Sequence, residues 1–269
     1  MLKSPEFWST VIAVVALVLS QLPPIRDLLK PRELRIFVPE MLALSHYMGN
    51  LQIWAFLALY NTGGSSMTVQ RIECVIVGED GSPWRLPAQT YTPTLAQTTA
   101  GQPAPELLMG WISLKPDENW AQTIRFFKVW TIKEDEDVAE ISANIRADIN
   151  AKLKLKAPFD SNLVEAEPTL VKRAKDFFER KFTLTKGSYK LLIAARSEKN
   201  DVLRVRGFEF TLFDNQIRSL RAPVDDYKLG WGVSSGVDPA DPAKGSTYIR
   251  LRPIAELDAK AEYAKLPPL

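Results

Sequence analysis

One stretch concentrates residues able to do chemistry. Asp225, Asp226, Tyr227 and Lys228 stand just ahead of Trp231, which lies between Gly230 and Gly232. Two carboxylates, a phenol and an amine are the raw material of acid–base work. Glycines on either side of a tryptophan expose backbone and a rigid aromatic together, a composition suited to an interface anchor. Three readings follow: a loop whose tryptophan folds back on the core, a partner-binding surface, and a small-ligand or catalytic site. His46 is the sole histidine and Cys74 the sole cysteine. A nucleophile–histidine–acid set requires a convergence that sequence spacing cannot supply, so His46 reads as a surface or strand-end histidine. Cys74 shares a strand phase with Ile72 and Ile76 and reads as a packed small hydrophobe rather than a reactive thiolate. Metal-ligand spacing is absent. Glu134, Asp135, Glu136 and Asp137 carry enough charge for a cation, yet they open a helical pattern, where acidic residues favour the helix dipole. Gly63-Gly64 lacks the Lys-Ser/Thr that completes a phosphate loop. No catalytic residue, cofactor or metal is assigned.

The elements that must position these groups begin with "FWSTVIAVVALVLSQLPPI", Phe7 to Ile25, in which Val11 to Leu19 is wholly apolar. A cleaved signal would carry a more basic start and a small-x-small cleavage site, and a soluble helix would carry a polar face. The stretch therefore predicts a retained transmembrane anchor over residues 1–25, on the short side of the ~20 residues a span needs. Trp8 is placed at the membrane interface, together with Arg26, Lys30 and Arg32 of a basic juxtamembrane segment, residues 26–32. The basic excess after the helix puts the large domain on the cytoplasmic side of an inner membrane, the periplasmic or extracellular side being the alternative. Net charge is +2 over 269 residues, with both signs interleaved, which argues against nucleic acid as a partner.

Residues 33–254 read as one β-rich domain with a helical insertion at about 134–182, and 255–269 as a fraying C-terminal tail. "ELRIFV" and "LQIWAFLALYNTGG" are strand-like, the second apolar on both faces and so suited to a covered central strand. "MTVQRIECVIV" follows, then a turn at "EDGS". Residues 83–107 read as a long polar loop with one short strand. Trp120, Ile124, Phe126 and Trp130 share a face after the turn Lys115-Pro116-Asp117-Glu118. Val138, Ile141, Ile145, Ile149 and Leu153 recur at helical spacing, and Pro168 opens a second helix striped by Val171, Ala174, Phe177, Phe178 and Phe182. "SYKLLIAA" and "VLRVRGFEFTLFD" form a hairpin, and the phase change from Val205 to Phe208 predicts a bulge at Gly207. "STYIRLRPI" is the last strand.

This pattern predicts a mainly β (α+β) fold, a transmembrane helix followed by a β-sandwich with an inserted helical hairpin. The stretches "FLALYNTGGSSMTVQRIECVI" and "ISLKPDENW" resemble the strand–turn–strand units of immunoglobulin-like modules. The whole layout resembles that of uncharacterised bacterial single-pass membrane-anchored immunoglobulin-like proteins. That resemblance implies a non-enzymatic binding or scaffold module whose partners are the lipid bilayer and a protein or a second copy of the chain. Residues Asp225, Asp226, Tyr227, Lys228 and Trp231 are the expected partner-binding set. A membrane effector or sensor of a stress or phage-defence system, oligomerising through its anchor, is one alternative. An enzyme using residues 225–232 is a second, and an extracytoplasmic adaptor a third.

Overall fold

A computed structural model describes residues 5–21, 30–93, 105–156, 163–234, 240–241 and 243–267. The apolar N-terminal stretch forms helix α1, Pro5–Gln21. It is 17 residues long, and Trp8, Ile12, Val14, Val15 and Leu17 are exposed along it. Among the described residues no helix is long and apolar enough to cross a membrane. The span expected over residues 1–25 is thus not met by α1 itself, and residues 1–4 and 22–29 lie outside the described ones.

The chain enters the main body at Lys30 and builds β1 (Leu34–Phe37), β2 (Met41–Tyr47) and β3 (Asn50–Asn61). Both β1 and β2 pair antiparallel with β3, so they act as one bent strand. Next come β4 (Met67–Val69), β5 (Arg71–Val77), β6 (Pro83–Pro93), β7 (Leu107–Leu108), β8 (Ile112–Leu114) and β9 (Asn119–Phe127). Two helices follow, α2 (Ile132–Leu155) and α3 (Pro168–Lys181). The hairpin β10 (Gly187–Arg196) and β11 (Val202–Leu212) leads to α4 (Asp214–Arg221) and a 3-10 helix at Ala222–Leu229. The chain closes with β12 (Thr247–Arg250), β13 (Arg252–Pro253) and α5 (Glu256–Ala264).

The strand-rich class is as the sequence predicts. The strands join into one antiparallel sheet in the order β12-β2-β3-β9-β6-β5-β10-β11-β13. Because β12 and β13 are separated only by Leu251, one short segment holds both edges, and the sheet is nearly closed around a single core. Opposed walls are therefore continuous with each other. Inward residues alternate along the strands: Ile53, Leu57 and Leu59 on β3, Cys74 and Ile76 on β5, Leu191 and Ile193 on β10 are all fully buried. Val69, Ile112 and Leu114, from the small β4–β8 pair, belong to the same core. So do Val138, Ile141, Ile145, Phe177 and Phe178 from the helical pair.

Where the chain departs from expectation, the cause is local. Residues 83–93 form a long strand, not a loop. Three prolines disguise it, but β6 pairs with β5 through Pro83–Pro87 and with β9 from Ala88 to Pro93, with a register shift at the crossover. Pro87 thus falls where the ladder changes edge and needs no amide hydrogen. The outer face of β3 is only partly covered, since Trp54, Phe56 and Ala58 are half-buried and Tyr60 is exposed. Pairing of β10 with β11 runs unbroken past Gly207, and the irregularity lies between Ala195 and Arg196. The two phases of β11 are simply its two faces: Phe208, Phe210 and Leu212 enter the core, while Val205 faces outward into a second apolar cluster. That cluster explains the C-terminal tail, which docks instead of fraying: Ala259 and Tyr263 of α5 are buried against Val75, Leu192 and Ala194. A Cβ at Gly207 would lie 2.7 Å from Ala259 Cβ and from Ile254 Cγ1. Gly207→Ala should therefore lower stability by about 1–3 kcal/mol. Urea unfolding that left the midpoint unchanged would show that α5 does not dock at this close range.

Candidate functional site

After α4 the chain winds into the 3-10 helix, which packs on α3. It ends at Gly230, whose φ of 80° is a left-handed cap, and the amide of Gly230 donates to Tyr227 O at 3.0 Å. This winding sends Tyr227 inward. The residue is 1% exposed, its ring stands edge-on to Phe178 at 6.4 Å, and its hydroxyl has no hydrogen-bond partner among the described residues. Burial above all raises the pKa of Tyr227, and that of Tyr47 likewise, so both remain phenols at neutral pH. Tyr47 Oη donates to Val233 O at 3.2 Å, fastening the loop to β2. Asp226 pairs with Lys244, fastening the loop's two limbs to each other. Close approach needs glycine at one further point, Gly245, where a Cβ would lie 2.4 Å from Pro223 Cγ.

Opposite this loop stands the outward face of β2, β3 and β9. Trp54 and Arg125 are direct cross-strand partners, and the Arg125 guanidinium sits 4.8 Å from the Trp54 ring centroid. Arg125 Nε and Nη2 donate to Gln52 Oε1 at 3.2 and 2.7 Å, and Nη1 donates to Glu106 Oε2 at 3.1 Å. Between the two walls lies a cleft of about 600 Å³, lined among others by Trp54, Arg125, Tyr227, Trp231, Lys244 and Tyr248. Its size and mixture of aromatic walls with a few polar groups are those of a small-molecule site.

Three of the five expected residues, Asp226, Tyr227 and Trp231, come together on this cleft. The other two do not. Asp225 is exposed and faces Lys175 at 3.6 Å, and Lys228 is exposed and pairs with Glu165 at 2.5 Å. Sequence reasoning missed the sheet-side wall. Trp54 and Arg125 are far apart in the chain, and only the β3–β9 register unites them. The available signal was an outward tryptophan beside Gln52 on a strand whose other phase is aliphatic from Leu51 to Leu59.

His46 is neither exposed nor free. It is half-buried beside Phe178 and Phe182, with ring centroids at 5.1 and 5.6 Å. Its Nε2 lies 2.5 Å from Leu220 O, while Nδ1 accepts from the Gly49 amide at 3.2 Å. The second contact makes Nε2 the protonated nitrogen. Burial lowers its basicity, so the ring is a neutral link between β2 and α4. Cys74 is fully buried, and burial pushes its thiol far up. Glu134 completes a capping box with Thr131 and pairs with Lys181, whose ammonium leads in holding its carboxyl down at about 2. Among the described residues no three His, Cys, Asp or Glu side chains converge as metal ligands.

Of the expected membrane-interface residues, Trp8 is exposed on α1 against Phe7. Arg26 lies outside the described residues. Lys30 faces Asp117 at 3.8 Å and Arg32 Nε donates to Ser65 Oγ at 3.2 Å, which ties both to the rim where the chain enters the barrel. A second cleft, of about 1230 Å³, runs along the seam where β11 and β12 diverge. Its lining mixes Glu40, Glu79 and Glu209 with Lys190, Arg250 and Arg252, and no unpartnered buried group among the described residues faces it.

Comparison of the chain with protein-family models, with curated proteins and with solved structures finds no match.

Proposed function

We propose that the protein is a membrane-tethered binding module, not an enzyme, and that its binding site is the cleft between the Trp54–Arg125 wall and the Tyr227–Trp231 loop. The observation that carries this reading is the fully buried Tyr227 side chain on the cleft, with a hydroxyl that lacks a partner among the described residues. A buried hydroxyl without a partner costs about 1–3 kcal/mol, a strain that an occupant's acceptor would relieve. The tether is α1 together with the sequence that follows it to Ile25. Its 17 helical residues are about 26 Å long and cover most of a ~30 Å hydrocarbon core. Arg26, Lys30 and Arg32 on the C-terminal flank favour a cytoplasmic position for the barrel, at the inner membrane of a bacterium. The immunoglobulin-like resemblance fits a binding role and adds no chemistry.

One experiment addresses site and tether together. A photoreactive amino acid replaces Ser246, on the cleft, or Lys260, on the exposed face of α5, in full-length protein in cells. After irradiation, membranes are washed with carbonate and the intact protein is weighed by mass spectrometry. Adducts at 246 and not at 260, in the carbonate-resistant fraction, are the expected result. Absence of any adduct specific to 246 would remove the cleft from the functional account, and release by carbonate would remove the tether.

A further inference from the structure

The ligand class can be read from the cleft, on the footing that it is the binding site proposed above. We infer that the cleft takes a small soluble organic anion, a planar ring bearing a carboxylate, with the acid group on Tyr227 and the ring against Trp231 and Tyr248.

The polar groups lining the cleft are weighted toward donors. Tyr227 offers an O–H with no acceptor among the described residues. Arg125 and Lys244 are the two cations of the lining, balanced by Asp226 on it and by Glu106, which pairs with Arg125. Asp226 already pairs with Lys244 and Gln52 Oε1 already accepts twice from Arg125. His46 Nδ1, also on the lining, already accepts from the Gly49 amide. A ligand that supplies acceptors therefore fits better than one that supplies donors. A charged acceptor fits best, because a hydrogen bond from a buried O–H to a carboxylate is stronger than one to a neutral carbonyl. The apolar lining includes the flat surfaces of Trp54, Trp231 and Tyr248 beside Ala43, Met48 and Pro223, and such surfaces suit a ring better than an alkyl chain. A lipid headgroup is disfavoured by position. Gln52 and Trp54 sit in the first half of β3, whereas the chain from α1 enters beside Asn61 at the far end of that strand, where Thr62 N donates to Glu33 O. The cleft thus faces away from the end that leads to α1.

The test uses the full chain in nanodiscs of zwitterionic lipid, with fluorine NMR of 6-fluoro-2-naphthoate and its neutral amide, 6-fluoro-2-naphthamide. Empty nanodiscs correct for partitioning. The acid should bind at least ten-fold more tightly than the amide. Tyr227→Phe should weaken the acid five-fold or more and erase that preference, with a melting temperature equal to or above the parent's, since the unpartnered hydroxyl is gone. Trp231→Ala should weaken both probes and serves as the second variant if the phenylalanine substitution does not fold. An amide that binds as tightly as the acid would overturn the anion assignment and leave a ligand cleft in place. Unchanged acid affinity in Tyr227→Phe would overturn the role of the hydroxyl. If neither probe binds the parent chain, the ligand class is wrong, and the cross-linking at 246 separately decides whether the cleft is a site at all.

Discussion

Replacing Ile145 with aspartate should lower the unfolding free energy by roughly 4 kcal/mol, near the top of the range for single substitutions. Ile145 is fully buried, in the same core as Ile141, Phe177 and Phe178. A carboxylate there would have no partner to offset its desolvation, and the lost sec-butyl contacts add to the cost. A sharp control lies on the same helix. Leu153 continues the apolar repeat in the sequence, yet it is about half exposed and Leu155 is 88% exposed. The reason is length: α2 has 24 residues and α3 only 14, so the last turns of α2 overhang its neighbour. Leu153→Asp should accordingly stay within about 0.5 kcal/mol of the parent. Urea unfolding of the full chain in mild detergent, read by tryptophan fluorescence, separates the two. Equal effects of the two substitutions would mean that the helical pair does not bury Ile145 in the core as described.

That contrast illustrates what the sequence could and could not disclose. Hydrophobic period reveals which face of a helix is apolar, so the Val138–Ile141–Ile145 stripe and the Phe177–Phe178 stripe were legible. It does not reveal how far a neighbour extends, so Leu153 was not. Alternation likewise identified Cys74 as a core residue and paired β10 with β11. It failed on β6, where prolines suppress the strand pattern although the ladder avoids needing their missing hydrogens. On the cleft, the glycines and aromatics of one loop announced Asp226, Tyr227 and Trp231. The opposing wall depends on sheet register, which places Arg125 across from Trp54 through contacts no linear spacing encodes. A single carboxylate inside "RIECVIV" also gave no hint of its partners, which lie in β6, β10 and the C-terminal helix.

That carboxylate, Glu73, should be a distinct source of acid sensitivity in the domain. It is 1% exposed on the outer face of β5. Its Oε1 accepts from Arg196 Nε at 3.0 Å and from the Tyr263 hydroxyl, and its Oε2 accepts from Arg85 Nη1 at 3.1 Å. Both guanidiniums also flank the Tyr263 ring, at 5.3 and 5.7 Å from its centroid. Tyr263 thereby clamps α5 to the barrel. Burial works to raise the Glu73 carboxyl, but the Tyr263 hydroxyl and the two arginines outweigh it and hold it below the ordinary value of 4.5. A folded-state value below the unfolded one means that the unfolded chain binds the proton first as the medium is acidified. The resulting stabilisation is complete above about pH 4.5 and is lost as pH falls through the folded-state value. Glu73→Gln should cost about 3 kcal/mol at neutral pH, because it leaves two partly buried guanidiniums facing an uncharged amide. The same variant should lose part of the parent's decline in urea midpoint between about pH 6 and about pH 3, the part that belongs to this carboxylate. Glu33, Glu134, Glu140, Asp148 and Glu262 are also held low by basic neighbours, so the difference between the two pH profiles, not the profile of either protein, isolates Glu73. A glutamine variant with the parental midpoint and parental pH profile would show that α5 is held by Ala259 and the apolar body of Tyr263 alone, with the charges around Glu73 contributing nothing.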